Sequence, residues 1–258
     1  MNYGMLIVEN LADIKNHIAA AAKRRERDPA SIKLIAVSKT KPVEQILEAV
    51  SAGQLIFGEN YAQELRDKSK QISENLDTYA LTHLRTAVEW HFIGHLQKNK
   101  LKYVLPVAKW IHTIDSVELL NALSSRLQVT TSSSQIQDVM TCRRDDVVNC
   151  LIEVNIANEQ NKSGISPEKV FSLVSAFTQT LKHSNTQTLV LKGLMCMAPS
   201  RPYFRQLKSL LDEINSRNIY PEKLTELSMG MTQDFEVAIE EGATMVRIGT
   251  AIFGERSA

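Results

Sequence analysis

The sequence predicts an α/β protein, a single (β/α)8 barrel of the TIM type that takes up residues 1–258 as one domain. Three observations lead there. Eight short β-rich runs alternate with longer helical stretches, the chain has the length such a barrel requires, and no Pro-, Gly- or Ser-rich linker divides it. The first element is a helix. From Leu11 the apolar residues Ile14, Ile18 and Ala22 recur at helical spacing, and the basic run KRRER at 23–27 closes it where the helix dipole favours cations. That basic run is expected to be a solvated helix end.

The β-rich runs cover 33–38, 55–58, 90–94, 110–114, 151–156, 189–194, 224–228 and 245–248, and helical stretches at 43–52, 61–76, 116–127, 167–177, 203–214 and 235–241 follow most of them. Pro42, Pro167 and Pro202 stand at helix starts, where a missing N–H costs nothing. Strict alternation implies parallel strands joined by helical crossovers. A doubly wound open sheet would differ by a single strand gained or lost. The polar stretch TTSSS at 130–134 falls between a helix and a strand, and reads as a surface insertion on the barrel's N-terminal face.

Composition removes whole classes of function. Of the 258 residues 43% are hydrophobic and 23% charged, which is globular rather than disordered. The net charge of +1 provides no field for nucleic acid or an anionic membrane, so neither is an expected partner. No apolar run reaches the roughly 18 residues of a membrane span, and Glu9, Asn10 and Asp13 interrupt any signal-peptide core. Three cysteines, Cys142, Cys150 and Cys196, without a C-x-x-C pair, suit a reducing cytoplasm and argue against a structural zinc. His91 and His95 straddle a strand end rather than sharing a helix face, so no metal site is expected. KNKLK at 98–102 reads as a solvated face and Cys196 as a packed core thiol.

Barrel ligands gather at the C-terminal strand ends. Strand alternation puts Ile35, Val37 and Lys39 in one row and Met245, Arg247 and Gly249 in another, and two cations entering one confined space call for an anion or imine chemistry. Asn60, His91, Asp115, Asn155 and Ser228 add polar groups at other strand ends. Asn60 and Asp115 directly precede helices and are equally suited to capping them. Ser228 with Gly230, and Gly249 with Thr250, follow the seventh and eighth strands, the recurrent phosphate position of such barrels. A buried lysine amine and a phosphate cradle suit pyridoxal phosphate (PLP), whose ring carries both aldehyde and phosphate. They equally suit a phosphosugar aldolase that works without a cofactor.

At these residues the sequence resembles the YggS/PROSC family of PLP homeostasis proteins. The segments LIAVSKTKP, LIFGENYAQEL, EWHFIGHLQKNK, IHTIDS, IEVNIANEQNKSGI, KGLMCMAP, ELSMGMTQDFEVAI and GATMVRIGTAIFGER carry the resemblance in order over nearly the whole chain. It implies a barrel similar to that of alanine racemase, with PLP held as an internal aldimine on Lys39. It further implies that Ser228, Gly249 and Thr250 hold the phosphate, that Arg247 faces the pyridine nitrogen, and that Asn60 and His91 lie at the mouth. The function implied is control of free PLP and of amino-acid balance in the cytoplasm, without a catalytic reaction. Apo PLP-dependent enzymes are the implied partners, and the chain itself is expected to be a monomer or weak dimer. A weak racemase-like enzyme is the alternative, disfavoured because the chain has no second acid/base for the opposite face. Two departures stand out: a shortened loop after Ser200, and Thr232 where serine is commoner.

Overall fold

A computed structural model describes residues 3–78, 87–132, 147–160, 162–183 and 189–255. Eight parallel strands close into a barrel in chain order, each pairing with the next and the eighth with the first. They are β1 (Lys33–Val37), β2 (Ile56–Glu59), β3 (Glu89–Phe92), β4 (Trp110–Ile114), β5 (Val148–Glu153), β6 (Leu189–Met195), β7 (Glu226–Ser228) and β8 (Met245–Ile248). The closed ring decides against the open sheet. All eight expected runs are strands, but β5 starts and ends three residues earlier than its apolar pattern suggested. The pairing register shifts on both sides of β5, between Ile111 and Ile114 and between Cys150 and Leu151.

Period-2 alternation divides the core in two. Leu34, Ala36, Phe57, Trp90, Phe92, Ile111, Cys150, Ile152, Val246 and Ile248 point outward into the layer beneath the helices. Ile35, Trp110, Leu151, Met195 and Met245 pack together inside the barrel, with Ile56 against them. The same alternation turns the next residues of these rows inward, and on β3, β4 and β8 those are His91, His112 and Arg247.

The outer ring comprises α1 (Tyr3–Lys23), α2 (Val43–Ser51), α3 (Ala62–Thr78), α4 (Leu101–Val104), α5 (Val117–Ser132), α6 (Pro167–His183), α7 (Arg201–Ser216), α8 (Phe235–Glu240) and α9 (Thr250–Phe253). Helix α1 packs on α2, α8 and α9 beside the β1–β8 seam, where α8 and α9 are short. Here the basic run at 23–27 is exposed through Glu26, as expected of a solvated end, and its arginines also reach α8. Arg27 donates to the carbonyls of Ile239 and Ala243 and Arg25 to that of Glu240, which satisfies orphan carbonyls at the end of α8, while Arg24 pairs with Glu236 and Glu240. A run of cations therefore fastens one helix to another. The TTSSS stretch enters α5 as far as Ser132, and its remainder lies outside the described residues, as does Cys142. Among the described residues no helix is long and apolar enough to cross a membrane.

Candidate functional site

Lys39 stands in the turn that leaves β1, half-buried, with Thr40 in the left-handed region at φ 62°. The backbone on both sides of it is tethered to α3. Ser38 Oγ donates to Glu59 Oε1 at 2.7 Å, Lys68 Nζ donates to the Ser38 carbonyl at 2.7 Å and to Glu59 Oε1 at 2.8 Å, and the Thr40 N–H donates to Glu64 Oε2 at 3.0 Å. The neighbouring lysine has a different task. Lys41 Nζ donates to the carbonyls of Phe253, Gly254 and Glu255, the exit of α9.

Arg247 is 4% exposed inside the barrel. Its Nη1 donates to Ser228 Oγ at 2.6 Å and its Nη2 to the Cys196 carbonyl at 2.8 Å. Burial lowers its affinity for a proton, and the neighbouring Cys196, Glu153 and Asp234 act the other way. The expected juxtaposition of Arg247 with Lys39 is not what the register gives. Arg247 pairs with Ile35, so Lys39 stands four residues further along, up to about 13 Å of extended chain. The two groups thus suit opposite ends of one elongated ligand rather than a shared point.

Below Arg247 the interior is polar. His112 Nδ1 lies 2.9 Å from Ser228 Oγ, His112 Nε2 lies 2.8 Å from His91 Nδ1, and His91 Nε2 lies 2.7 Å from Glu89 Oε1. Both histidines are wholly buried, and burial is the main reason that both protonate less readily than a free histidine, His112 by far. His91 is therefore an interior residue rather than one at the mouth. The Ser228 hydroxyl, expected on phosphate, is already engaged by Arg247 and His112.

At the mouth, Gly249 leads into α9, and a Cβ there would come within 3.1 Å of the Val37 carbonyl oxygen, so the backbone at this point runs close to β1. Thr250 is the exposed first residue of α9. Asn60 does not cap α3: its Oδ1 is buried with no hydrogen-bond partner. Asp115 does not cap α5, since Ser116 Oγ accepts the Leu119 N–H and Asp115 instead faces His95, 3.6 Å away. Asn155 closes its own loop, donating to the Glu159 carbonyl at 2.8 Å and accepting the Glu159 N–H at 3.0 Å. Among the described residues no cluster of three or more His, Cys, Asp or Glu could hold a metal. Cys196 is the packed thiol expected, 1% exposed, and its proton is held tightly by burial.

The residue that sequence reasoning missed at the mouth is Glu153. It ends β5 on the interior row of Leu151, is 2% exposed, and leaves Oε2 without a hydrogen-bond partner. Burial, with Asp115 nearby, pushes its carboxyl up to about 7, against the opposing pull of Arg247. It borders a cavity of about 280 Å³ that Asn155, Lys162, Met197 and Ala198 also line. The fifth strand, expected three residues too late, hid it by placing Asn155 at the strand end. His112 was missed because only strand ends were considered, although its row with Trp110 already turned it inward.

A parallel barrel with a lysine leaving its first strand, a buried arginine on its eighth and unpartnered polar oxygens on its second and fifth defines a class of barrels with a ligand site at the C-terminal mouth. A family model described as alanine racemase, N-terminal domain, matches residues 10–257, and the chain belongs to that family. It is 40% identical over 257 residues to the pyridoxal phosphate homeostasis protein of Vibrio cholerae, covering 97% of this chain and 96% of the relative. The protein of the same description from Escherichia coli K12 is 39% identical over 255 residues, 97% of each. Among solved structures, PipY of Synechococcus elongatus PCC7942 with PLP bound matches at 29% identity and a TM-score of 0.72, over 96% of this chain and 100% of that one. Alanine racemase of Corynebacterium glutamicum, at 13% identity and a TM-score of 0.61 over 99% of this chain and 62% of that one, shares the fold.

Proposed function

We propose that this chain is a PLP-binding homeostasis protein of the cytoplasm, one domain over residues 1–258, that holds PLP through Lys39 and releases it to apo PLP-dependent enzymes. One observation supports this above the rest. Lys39 lies in the turn after β1, four residues beyond Ile35, the register partner of Arg247 on β8, a spacing suited to a flat ligand with a carbonyl at one end and a hydrogen-bond acceptor at the other.

The residues present fit PLP. Asn60 and Glu153 have buried oxygens still lacking partners, and at Gly249 the backbone runs where a side chain would crowd β1. When bound, PLP supplies an aldehyde that condenses with amines and a ring that withdraws electrons. Lys39 provides the amine, on a turn whose two flanking residues are tethered. Arg247 would take the ring nitrogen, and because a guanidinium only donates, that nitrogen would accept and stay unprotonated. Gly249 and Thr250 provide backbone and hydroxyl donors for the phosphate. The Ser228 hydroxyl could reach it only by leaving Arg247 or His112. An unprotonated ring is the weaker electron sink, which supports a carrier over an enzyme.

The test is reduction of the PLP-loaded protein with borohydride followed by peptide mapping. The pyridoxyl label is expected on Lys39, and Lys39→Ala is expected to lose the absorbance of the bound cofactor. A label on Lys41 would overturn the assignment. The carrier reading has its own test, a product assay across amino acids: multiple turnovers at about 1 per second or faster would make the protein an enzyme.

A further inference from the structure

We infer that Glu89, His91, His112 and Ser228 form a one-way hydrogen-bond chain that positions Arg247, so that the barrel interior fixes which way the arginine's remaining donors point. The chain is a property of the protein alone, and only its consequence for PLP affinity rests on the function proposed above.

The direction follows from the two ends. A guanidinium has donors and no acceptor, and a carboxylate has acceptors and no donor. Ser228 Oγ must therefore accept from Arg247 Nη1, at 2.6 Å, and its one proton is left for His112 Nδ1, at 2.9 Å. His112 Nδ1 then carries no proton, so Nε2 does, and it donates to His91 Nδ1 at 2.8 Å. By the same step His91 carries its proton on Nε2 and donates to Glu89 Oε1 at 2.7 Å. Reversing the links through the rings would require a carboxylate to donate, and reversing only the link between Ser228 and His112 would require a cationic His112, which its complete burial disfavours. A hydroxyl and two imidazoles that could each adopt alternative hydrogen positions are thereby held in one.

The charges agree with this arrangement. His91 and His112 are wholly buried, so neutral rings are favoured, and the chain joins a cation to an anion through three neutral links. The hydrogen bond from His91 is in turn the main reason that Glu89 stays ionised below the usual glutamate range. Its carboxylate, 35% exposed at the start of β3, lies at the opposite end of the barrel from the mouth. The His91 ring also stacks on Trp110, centroids 5.5 Å apart, which fixes the ring plane as well as its protons. Branched apolar layers ordinarily fill such a barrel. Here a polar chain whose links are all made runs alongside the apolar cluster, with His91 pairing with Trp110 and Arg247 with Ile35, and such networks specify a single arrangement. With Nη1 on Ser228 and Nη2 on the Cys196 carbonyl, the guanidinium is held by two of its five donors, and the other three are set in direction.

The experiment uses the full chain and has two arms. In the first, nitrogen-15 NMR of the imidazoles without added PLP at about pH 7 is expected to show two buried neutral rings, each with its proton on Nε2. A cationic ring, or a proton on Nδ1 of either, overturns the chain. In the second, Ser228→Ala is expected to weaken PLP binding about tenfold and to shift the absorbance of the bound cofactor, while Ser228→Thr, which keeps the hydroxyl, restores both. Unchanged affinity and absorbance in Ser228→Ala overturn the positioning role. Should Ser228→Ala not fold, Glu89→Leu and Glu89→Gln take its place at the half-exposed end. Leucine is expected to mix the tautomers and weaken PLP binding, and glutamine, whose oxygen still accepts, to restore both; equal behaviour of the two overturns the role. If the wild-type chain shows the expected tautomers yet binds no PLP, the functional reading fails and the chain stands.

Discussion

Two buried polar clusters flank the wall of this barrel, and they hold the two ends of the site in different ways. Inside, His91, His112 and Ser228 run as neutral links to the guanidinium of Arg247 and grip the functional group itself. Outside, between the sheet and α3, Glu59 and Lys68 form a buried ion pair at 2.8 Å, and with Glu64 they grip Ser38 and Thr40, the residues on either side of Lys39. The inner cluster immobilises a side chain that has to keep one orientation. The outer one fixes the stretch of backbone on either side of Lys39, the amine that must gain and lose a covalent partner. Backbone is thus fixed where bonds change, and a side chain where a ligand is only oriented.

The largest expected effect breaks the outer cluster. Lys68→Met removes the cation and leaves Glu59, itself wholly buried, without its counter-charge. Loss of one partner of a buried pair typically costs about 3–5 kcal/mol, to be read from denaturant unfolding of the apo-protein. Adding Glu59→Gln should recover much of that loss, because the uncompensated charge disappears. A cost below about 1 kcal/mol would mean that the pair behaves as a surface one and that the contrast drawn above is wrong.

The comparison also shows what the sequence could and could not reveal. The order of eight strands was legible because alternation and turn residues are local signals. The inward rows of β1 and β8 were legible too, so Lys39, Arg247 and Gly249 could be singled out. The clusters were not, since their bonds join residues far apart in the chain: Ser228 meets His112 across 116 residues and Ser38 meets Glu59 across 21. Glu153 was lost to a strand end misjudged by three residues, because the end is set by pairing whose register shifts on both sides of β5, and pairing is not a local signal. Capping, one of the two readings open at Asn60 and Asp115, fits their residue type and position, but the contacts made are different.

A medium effect tests another buried carboxyl, which belongs to neither cluster. Glu153 rises from the ordinary 4.5 to about 7, chiefly through burial. A group whose folded-state value is raised contributes stability that is full below its unfolded value and is lost as pH rises through the folded one. The apo-protein should therefore lose stability from this group between pH 4.5 and about 7. Glu153→Gln, similar in shape and uncharged, should flatten the decline of melting temperature across that window. An identical slope in the variant would show that Glu153 finds a partner or water when ionised.

The smallest effect separates tether from charge within the outer cluster. Glu64 is 29% exposed, accepts the Thr40 N–H at 3.0 Å and lies 3.3 Å from Lys68. Burial by itself would raise its carboxyl, but the Thr40 N–H, Glu59 and Lys68 together outweigh burial and hold it below the ordinary value. For a depressed group the sign reverses: its stability is present above the unfolded value and lost as pH falls through the folded one. Glu64→Gln keeps an oxygen for Thr40 and gives up the charge toward Lys68, so the expected cost at neutral pH is about 0.5 kcal/mol. That difference should vanish in acid, where the wild-type carboxyl is itself neutral. Glu64→Ala removes the acceptor as well, and Thr40, held at φ 62°, loses its tether. PLP loading onto Lys39 should then slow in the alanine variant and stay unchanged in the glutamine one. If both variants load at the wild-type rate, the turn holds its shape without Glu64, and the Lys68 bond to the Ser38 carbonyl is tether enough.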